Sequence, residues 1–206
     1  MLEQPCIDPP RQLATLAART EELKFTMASE QLTGALLQVL AASKPGGRLL
    51  ELGTGTGVGT AWLLSGMDDA ATLISVDTDA TVQNAAREVL GSDPRLTLVL
   101  EDGAAFIQRQ PKQSFDLVFA DAFPGKFEVL DDTLLLVKPG GFYVIDDLLP
   151  QPNWPEGHGA KVDDLMYRLS ADPRFAMVPM VWASGVAVLT RRPPSPDDNR
   201  LANGRI

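Results

Sequence analysis

The sequence of 206 residues contains a single cysteine, Cys6, and a single histidine, His158. One cysteine excludes an internal disulfide and any cysteine-built metal cluster. Basic residues are scarce as well: 18 Lys and Arg stand against 27 Asp and Glu, a net charge of −9. Nucleic acids and anionic membranes are bound through a basic footprint, so this chain is expected to bind neither. No apolar run nears the roughly 18 residues that a membrane span needs. The first ten residues lack the basic-then-apolar order of a secretory signal, so a soluble cytoplasmic protein is expected. What is present is ordinary for a globular chain, 45% hydrophobic and 22% charged. The length suits one domain with small attachments, and such a chain buries roughly 70% of the surface its unfolded form exposes.

Pro5, Pro9 and Pro10 make the beginning an irregular arm. Leu13, Leu16, Thr20 and Leu23 are spaced as a weak helical stripe, and Leu32, Ala35, Leu36, Val39 and Leu40 as a strong one. Lys44-Pro45-Gly46-Gly47 stops the second helix. Five apolar runs follow, over 48–52, 73–76, 96–100, 115–120 and 141–145, with helical stretches between them. One of these stretches places Val82, Ala85, Ala86, Val89 and Leu90 on one face, with Asp79 near its cap and Gly91 past its end. Others fall near 61–64, 104–108 and 127–137, the last closed by Lys138-Pro139-Gly140-Gly141. Near-continuous apolar strands alternating with helices predict a parallel sheet buried on both faces. A helix over 161–169 then leads to strands over 175–182 and 186–190, joined by Ala183-Ser184-Gly185. A turn that short makes the two strands antiparallel. The expected fold is α/β, a Rossmann-like, doubly wound seven-stranded sheet of five parallel strands plus a C-terminal antiparallel hairpin. Residues 1–45 are expected to form an arm and two helices of the same domain, 46–192 its ligand-binding body, and 193–206 a mobile tail.

The segment Glu51-Leu52-Gly53-Thr54-Gly55-Thr56-Gly57-Val58-Gly59 follows the first strand and opens a helix. An open parallel sheet binds its ligands at such a place. The dinucleotide fingerprint Gly-x-Gly-x-x-Gly does not fit: counting from Gly53 puts Val58 at the third glycine, and counting from Gly55 puts Thr60 there. A Gly-Lys-Ser/Thr phosphate loop is absent too. The form present, an acidic residue followed by Gly-x-Gly-x-Gly, resembles the first motif of the class I S-adenosylmethionine-dependent methyltransferases.

That resemblance implies S-adenosyl-L-methionine as cofactor and extends from about Leu23 to Arg192. It implies cofactor contacts from Glu51, Gly53, Thr54, Gly55 and Gly57. Asp77 and Thr78, at the end of the second strand, would serve the ribose. Asp102, Gly103 and Ala104, after the third, would border the adenine. Met27, before the strong helix, would cover the methionine end. Phe123 stands where the group places an aromatic against cofactor or substrate, with core packing the equal alternative.

Strand four ends in Asp121 and strand five in Asp146-Asp147. If those strands are neighbours, three carboxylates meet at one sheet edge, which is costly without a cation. Oxygen ligands of this kind suit magnesium, manganese or calcium. The arrangement is similar to that of the catechol and caffeoyl-coenzyme A O-methyltransferases. It implies Asp121, Asp146 and Asp147 as ligands of Mg2+, Mn2+ or Ca2+, which would activate a substrate hydroxyl. Two positions depart from that group: Asp147 stands where it has Asn, and Pro124 stands where it tends to have a general-base lysine. Lys126 lies two residues further on. The candidate catalytic residues are therefore Asp121, Lys126 and His158, the last expected in a loop with Trp154.

The resemblance thus implies an O-methyltransferase acting on a small phenolic or catecholic hydroxyl. The expected partner is a small-molecule substrate, and a homodimer is the assembly the reading allows. Two rivals stand beside it: a non-catalytic cofactor-binding module, and an aminopropyltransferase of the spermidine synthase kind, whose acidic site would take a polyamine. An amino-group methyltransferase is disfavoured, because Asp121-Ala122-Phe123-Pro124 lacks the paired prolines of that pattern.

Overall fold

The computed structural model describes residues 7–152 and 154–194. Cys6 and the expected tail from 195 onward lie outside the described residues. The elements, in chain order, are α1 (Leu13–Glu22), α2 (Gln31–Ala42), β1 (Arg48–Leu52), α3 (Val58–Gly66), β2 (Thr72–Asp77), α4 (Ala80–Leu90), β3 (Leu96–Leu100), α5 (Gly103–Gln108) and β4 (Phe115–Ala120). They continue with a single turn α6 (Phe123–Lys126), α7 (Leu130–Leu136), β5 (Val137–Ile145), α8 (His158–Ser170), β6 (Phe175–Met180) and β7 (Val186–Arg191). No described helix is long and apolar enough to cross a membrane.

The seven strands form one sheet in the order β3-β2-β1-β4-β5-β7-β6. β1 to β5 pair in parallel, β7 runs antiparallel to β5, and β6 closes the edge against β7. The central strands read as unbroken apolar runs because both faces are covered. Leu50, Leu52, Val118, Ala120 and Ile145 pack beneath α5, α7 and α8. Leu49, Leu117, Phe119 and Val144, on the other face, pack beneath α1, α2 and α3. The chain leaves β1 towards β2 and β3, then crosses back to β4, so the sheet reverses its winding between β1 and β4. Ligand crevices form outside the strand ends at such a switch point.

Three sequence expectations are corrected. The face of α2 that packs inward carries Thr33, Gly34, Leu37 and Ala41, while Val39, counted in the apolar stripe, is 66% exposed. The cause is Trp62 of α3: a Cβ on Gly34 would lie 2.2 Å from its indole ring, so the helix turns its smallest residue to the largest. Lys138-Pro139-Gly140-Gly141 is not a stop before the strand but lies inside β5, at a register shift between Phe115↔Val137 and Leu117↔Phe142. Gly140, at φ +76°, supports this bulge. α8 also begins earlier than its stripe suggested, with His158 as its first residue.

Candidate active site

Strand register assembles the site. Leu52 stands opposite Val76 on one side and Ala120 on the other, and Ala120 stands opposite Ile145. The residues that follow, Gly53, Asp77, Asp121 and Asp146, therefore emerge side by side at the carboxyl edge of the sheet. Gly53 donates its N–H to the Val76 carbonyl, and Asp121 donates to Leu52. At φ +101°, with a Cβ position 2.5 Å from the Asp121 carbonyl oxygen, Gly53 has no room for a side chain. A cavity of about 700 Å³ opens over this edge, within the size range of small-molecule sites.

One end of the cavity is formed by the glycine turn and the end of β2. Asp77 Oδ2 accepts the Gly55 N–H at 2.8 Å, and Oδ1 accepts the Asp79 N–H at 2.9 Å, so the carboxylate braces the turn. Thr54 Oγ1 lies 2.7 Å from Ser75 Oγ, fixing the turn from below. Asp102 caps α5 by accepting the Ala105 N–H at 2.8 Å. Met27, Gly53, Thr54, Gly55, Asp77, Thr78, Asp102, Gly103, Asp121 and Phe123 all line the cavity.

Glu51, Gly57 and Ala104 do not line it. Glu51 is fully buried under the turn, where Oε2 accepts hydrogen bonds from Thr60 Oγ1 and Ser75 Oγ and Oε1 has no partner. Burial above all, with the charges of Asp121 and Asp77, pushes its carboxyl up to about 8. Gly57 faces α4, a Cβ there lying 2.7 Å from Ala86 Cβ. Glu51 and Gly57 shape the turn from behind, while Ala104 lies in the first turn of α5. Their place in the motif gave no sign of which way they face.

The other end is acidic and aromatic. Lys126, 6% exposed, donates from Nζ to the Asp146 carbonyl at 2.9 Å and reaches Asp121 Oδ1 at 3.5 Å. Ser29 Oγ donates to Asp121 Oδ2 at 3.3 Å. Asp146 Oδ1 accepts from Ser184 Oγ at 2.6 Å and from the Asp147 N–H at 2.8 Å. Burial and the charge of Asp121 push the Asp146 carboxyl up to about 6. Asp147 holds the indole N–H of Trp154 between both carboxylate oxygens, at 3.1 and 3.0 Å. His158 is buried against Trp154, Phe127 and Phe123, with ring centroids 4.5, 5.2 and 6.1 Å away. Among the described residues neither imidazole nitrogen has a hydrogen-bond partner, and Nε2 lies 4.0 Å from Asp147 Oδ2. Desolvation holds the imidazole below its usual value, against the pull of Asp147.

The divalent ion implied for Asp121, Asp146 and Asp147 does not fit this arrangement. Among the described residues no three His, Cys, Asp or Glu side chains are gathered to hold a metal ion. Each of the three carboxylates is already engaged: Asp121 by Lys126 and Ser29, Asp146 by Ser184, and Asp147 by Trp154. The sequence reading missed Phe25, Phe127 and Ser184. Ser184 could have been found: β7 pairs with β5, which brings the hairpin turn back to the edge that carries Asp146.

A methyltransferase domain model matches residues 50–148. A protein of Mycobacteroides abscessus, named provisionally as an O-methyltransferase, is 29% identical over 170 residues, covering 77% of this chain and 78% of the relative. A protein of Mycolicibacterium smegmatis, named in the same way, is 36% identical over 117 residues, 54% of this chain and 56% of its own length. The O-methyltransferase TomG of Streptomyces achromogenes, solved in complex with S-adenosylmethionine, superimposes with a TM-score of 0.77 at 20% identity, covering 91% of this chain and 92% of that one. Glycine turn, switch-point cavity and domain match together define a class I S-adenosylmethionine-dependent methyltransferase. Within that class, the relatives and the solved structure that the chain resembles are named as O-methyltransferases.

Proposed function

We propose that the protein transfers a methyl group from S-adenosylmethionine to a phenolic or catecholic hydroxyl of a small molecule. The observation that carries this reading is one cavity with two unlike ends, a glycine turn braced by Asp77 and, opposite, an aromatic wall around an unpartnered imidazole. At the first end, Gly53, Thr54 and Gly55 offer backbone at close approach, and Asp77 and Thr78 offer oxygens to ribose hydroxyls. Asp102 and Gly103 border the adenine side, and Met27 and Phe123 cover the methyl-donor end. The bound sulfonium supplies an electrophilic methyl carbon, to which the acceptor oxygen bonds as the sulfur–carbon bond breaks.

The chain's own residues position the acceptor and take its proton. Trp154, Phe123 and Phe127 present ring faces and edges suited to an aromatic acceptor. His158, whose basicity burial lowers, is the imidazole that takes the hydroxyl proton once the acceptor reaches it. Asp147 then stabilises the imidazolium, and Trp154 fixes Asp147 in place. Alignment of oxygen and methyl carbon, with water excluded, is the main source of rate.

The test is mass spectrometry of a phenol panel incubated with protein and cofactor. Methylated phenol from the wild type, with loss of at least about a hundredfold in His158→Gln, supports the reading. Cofactor binding with no product from any phenol supports the non-catalytic module instead.

A further inference from the structure

Among the described residues, the one cation that lines the acidic end of the cavity is Lys126, and the fold builds its place. Gly125 sits at φ +94° where a Cβ would lie 2.5 Å from Leu52 Cδ1, so the turn before Lys126 is pressed against β1. Tyr143 Oη donates to the Gly125 carbonyl, and the Gly125 N–H donates to Glu128 at 2.9 Å. This anchoring delivers a side chain from five positions after Asp121 back to that aspartate. Its Nζ spans Asp121 Oδ1 and the Asp146 carbonyl, the ends of two adjacent strands. A buried ammonium needs such partners, and here it has them.

We propose that Lys126 is the resident cation of the site, standing where the resemblance calls for a divalent metal ion, and that it restricts the acceptor to a single hydroxyl. The proposal rests on the reading of the cavity as an O-methyl transfer site. An ammonium donates three hydrogen bonds. The protein takes two, and the third is left for the cavity that Lys126 lines. A divalent ion accepts two neighbouring oxygens at once and so favours vicinal diols. One remaining N–H grips one oxygen. The acceptor class is therefore a monophenol, its oxygen held by Lys126 within reach of His158 and its ring against Trp154.

Two measurements on the full-length protein decide this. In the first, magnesium and manganese chloride are titrated calorimetrically into the wild type, a readout that does not depend on knowing the acceptor. No saturable binding is expected. Micromolar binding that disappears in Asp146→Ala overturns the proposal. In the second, methyl transfer to 4-methylphenol and 4-methylcatechol is compared with and without EDTA. Chelation is expected to change nothing, and the monophenol to be the better acceptor. Lys126→Met is expected to lose about a hundredfold in kcat/KM while keeping wild-type affinity for S-adenosylhomocysteine and a cooperative unfolding transition. Activity that dies with EDTA, or a catechol preferred by the wild type, contradicts it. If neither acceptor is methylated, the functional reading fails, while the metal titration still decides whether Lys126 fills the cation site.

Discussion

Glu51→Gln tests whether the acid of the glycine motif works beneath the turn or in the cavity. In an unfolded chain this carboxyl titrates near 4.5, and in the fold it is pushed up to about 8. Below the first value both states are protonated, and the group does not affect stability. Between the two, the unfolded chain releases its proton while the fold retains it, so stability falls as pH rises. Above the folded value the loss levels off. At about 1.4 kcal/mol per decade, the fold loses on the order of 3 kcal/mol to this group between about pH 5 and about pH 8. Glutamine keeps an oxygen to accept from Thr60 and Ser75 but cannot ionise. Its amide also places two N–H groups where Oε1 has no partner, a pH-independent cost of about 1–3 kcal/mol. Relative to the wild type, the variant should therefore gain on the order of 3 kcal/mol of stability between about pH 5 and about pH 8. Urea unfolding followed by tryptophan fluorescence across that range measures the difference. Parallel curves for the two proteins would refute the argument and return Glu51 to solvent or ligand.

Asp77→Ala removes the oxygens proposed to hold the ribose and the brace on the Gly55 N–H. Charge-assisted bonds are worth about 1.5–3 kcal/mol each, so calorimetry should show S-adenosylhomocysteine bound at least tenfold more weakly. Gly34→Ala drives a methyl into Trp62. Denaturation should report a loss of about 1–3 kcal/mol, with cofactor affinity at wild-type level once the variant is folded. Trp154→Phe frees the Asp147 carboxylate from its indole partner while keeping a ring in the wall. It should lower kcat more than it changes cofactor affinity, as steady-state kinetics beside calorimetry will show.

The sheet was legible because a parallel strand buried on both faces reads as a plain apolar run. β1 and β4 therefore have the bounds that their residues suggest, and the partly buried edge strand β3 keeps its bounds as well. The glycine turn was legible for a related reason, since its position between strand and helix follows from the pattern alone. Orientation around α2 was not legible, because the packing of Gly34 on Trp62 is a contact between elements and outweighs a Leu-rich stripe. The acidic edge shows the same limit within the site. Spacing placed Asp121, Asp146 and Asp147 at one edge, but the direction of each carboxylate depends on distant partners: Ser184 from the hairpin, Trp154 from the segment before α8, and Lys126 from a kinked turn. His158, expected in a loop, is carried into the aromatic wall by the earlier start of α8, which no apolar stripe announces.

The central claim, methyl transfer to a phenolic oxygen, is tested most directly with methyl-deuterated S-adenosylmethionine and 4-methylphenol. Mass spectrometry of the product is expected to show the whole deuterated methyl group on the oxygen, formed by the wild type and at least about a hundredfold more slowly by His158→Gln. Tight cofactor binding with no label on any phenol, or equal rates for the two proteins, would contradict the account.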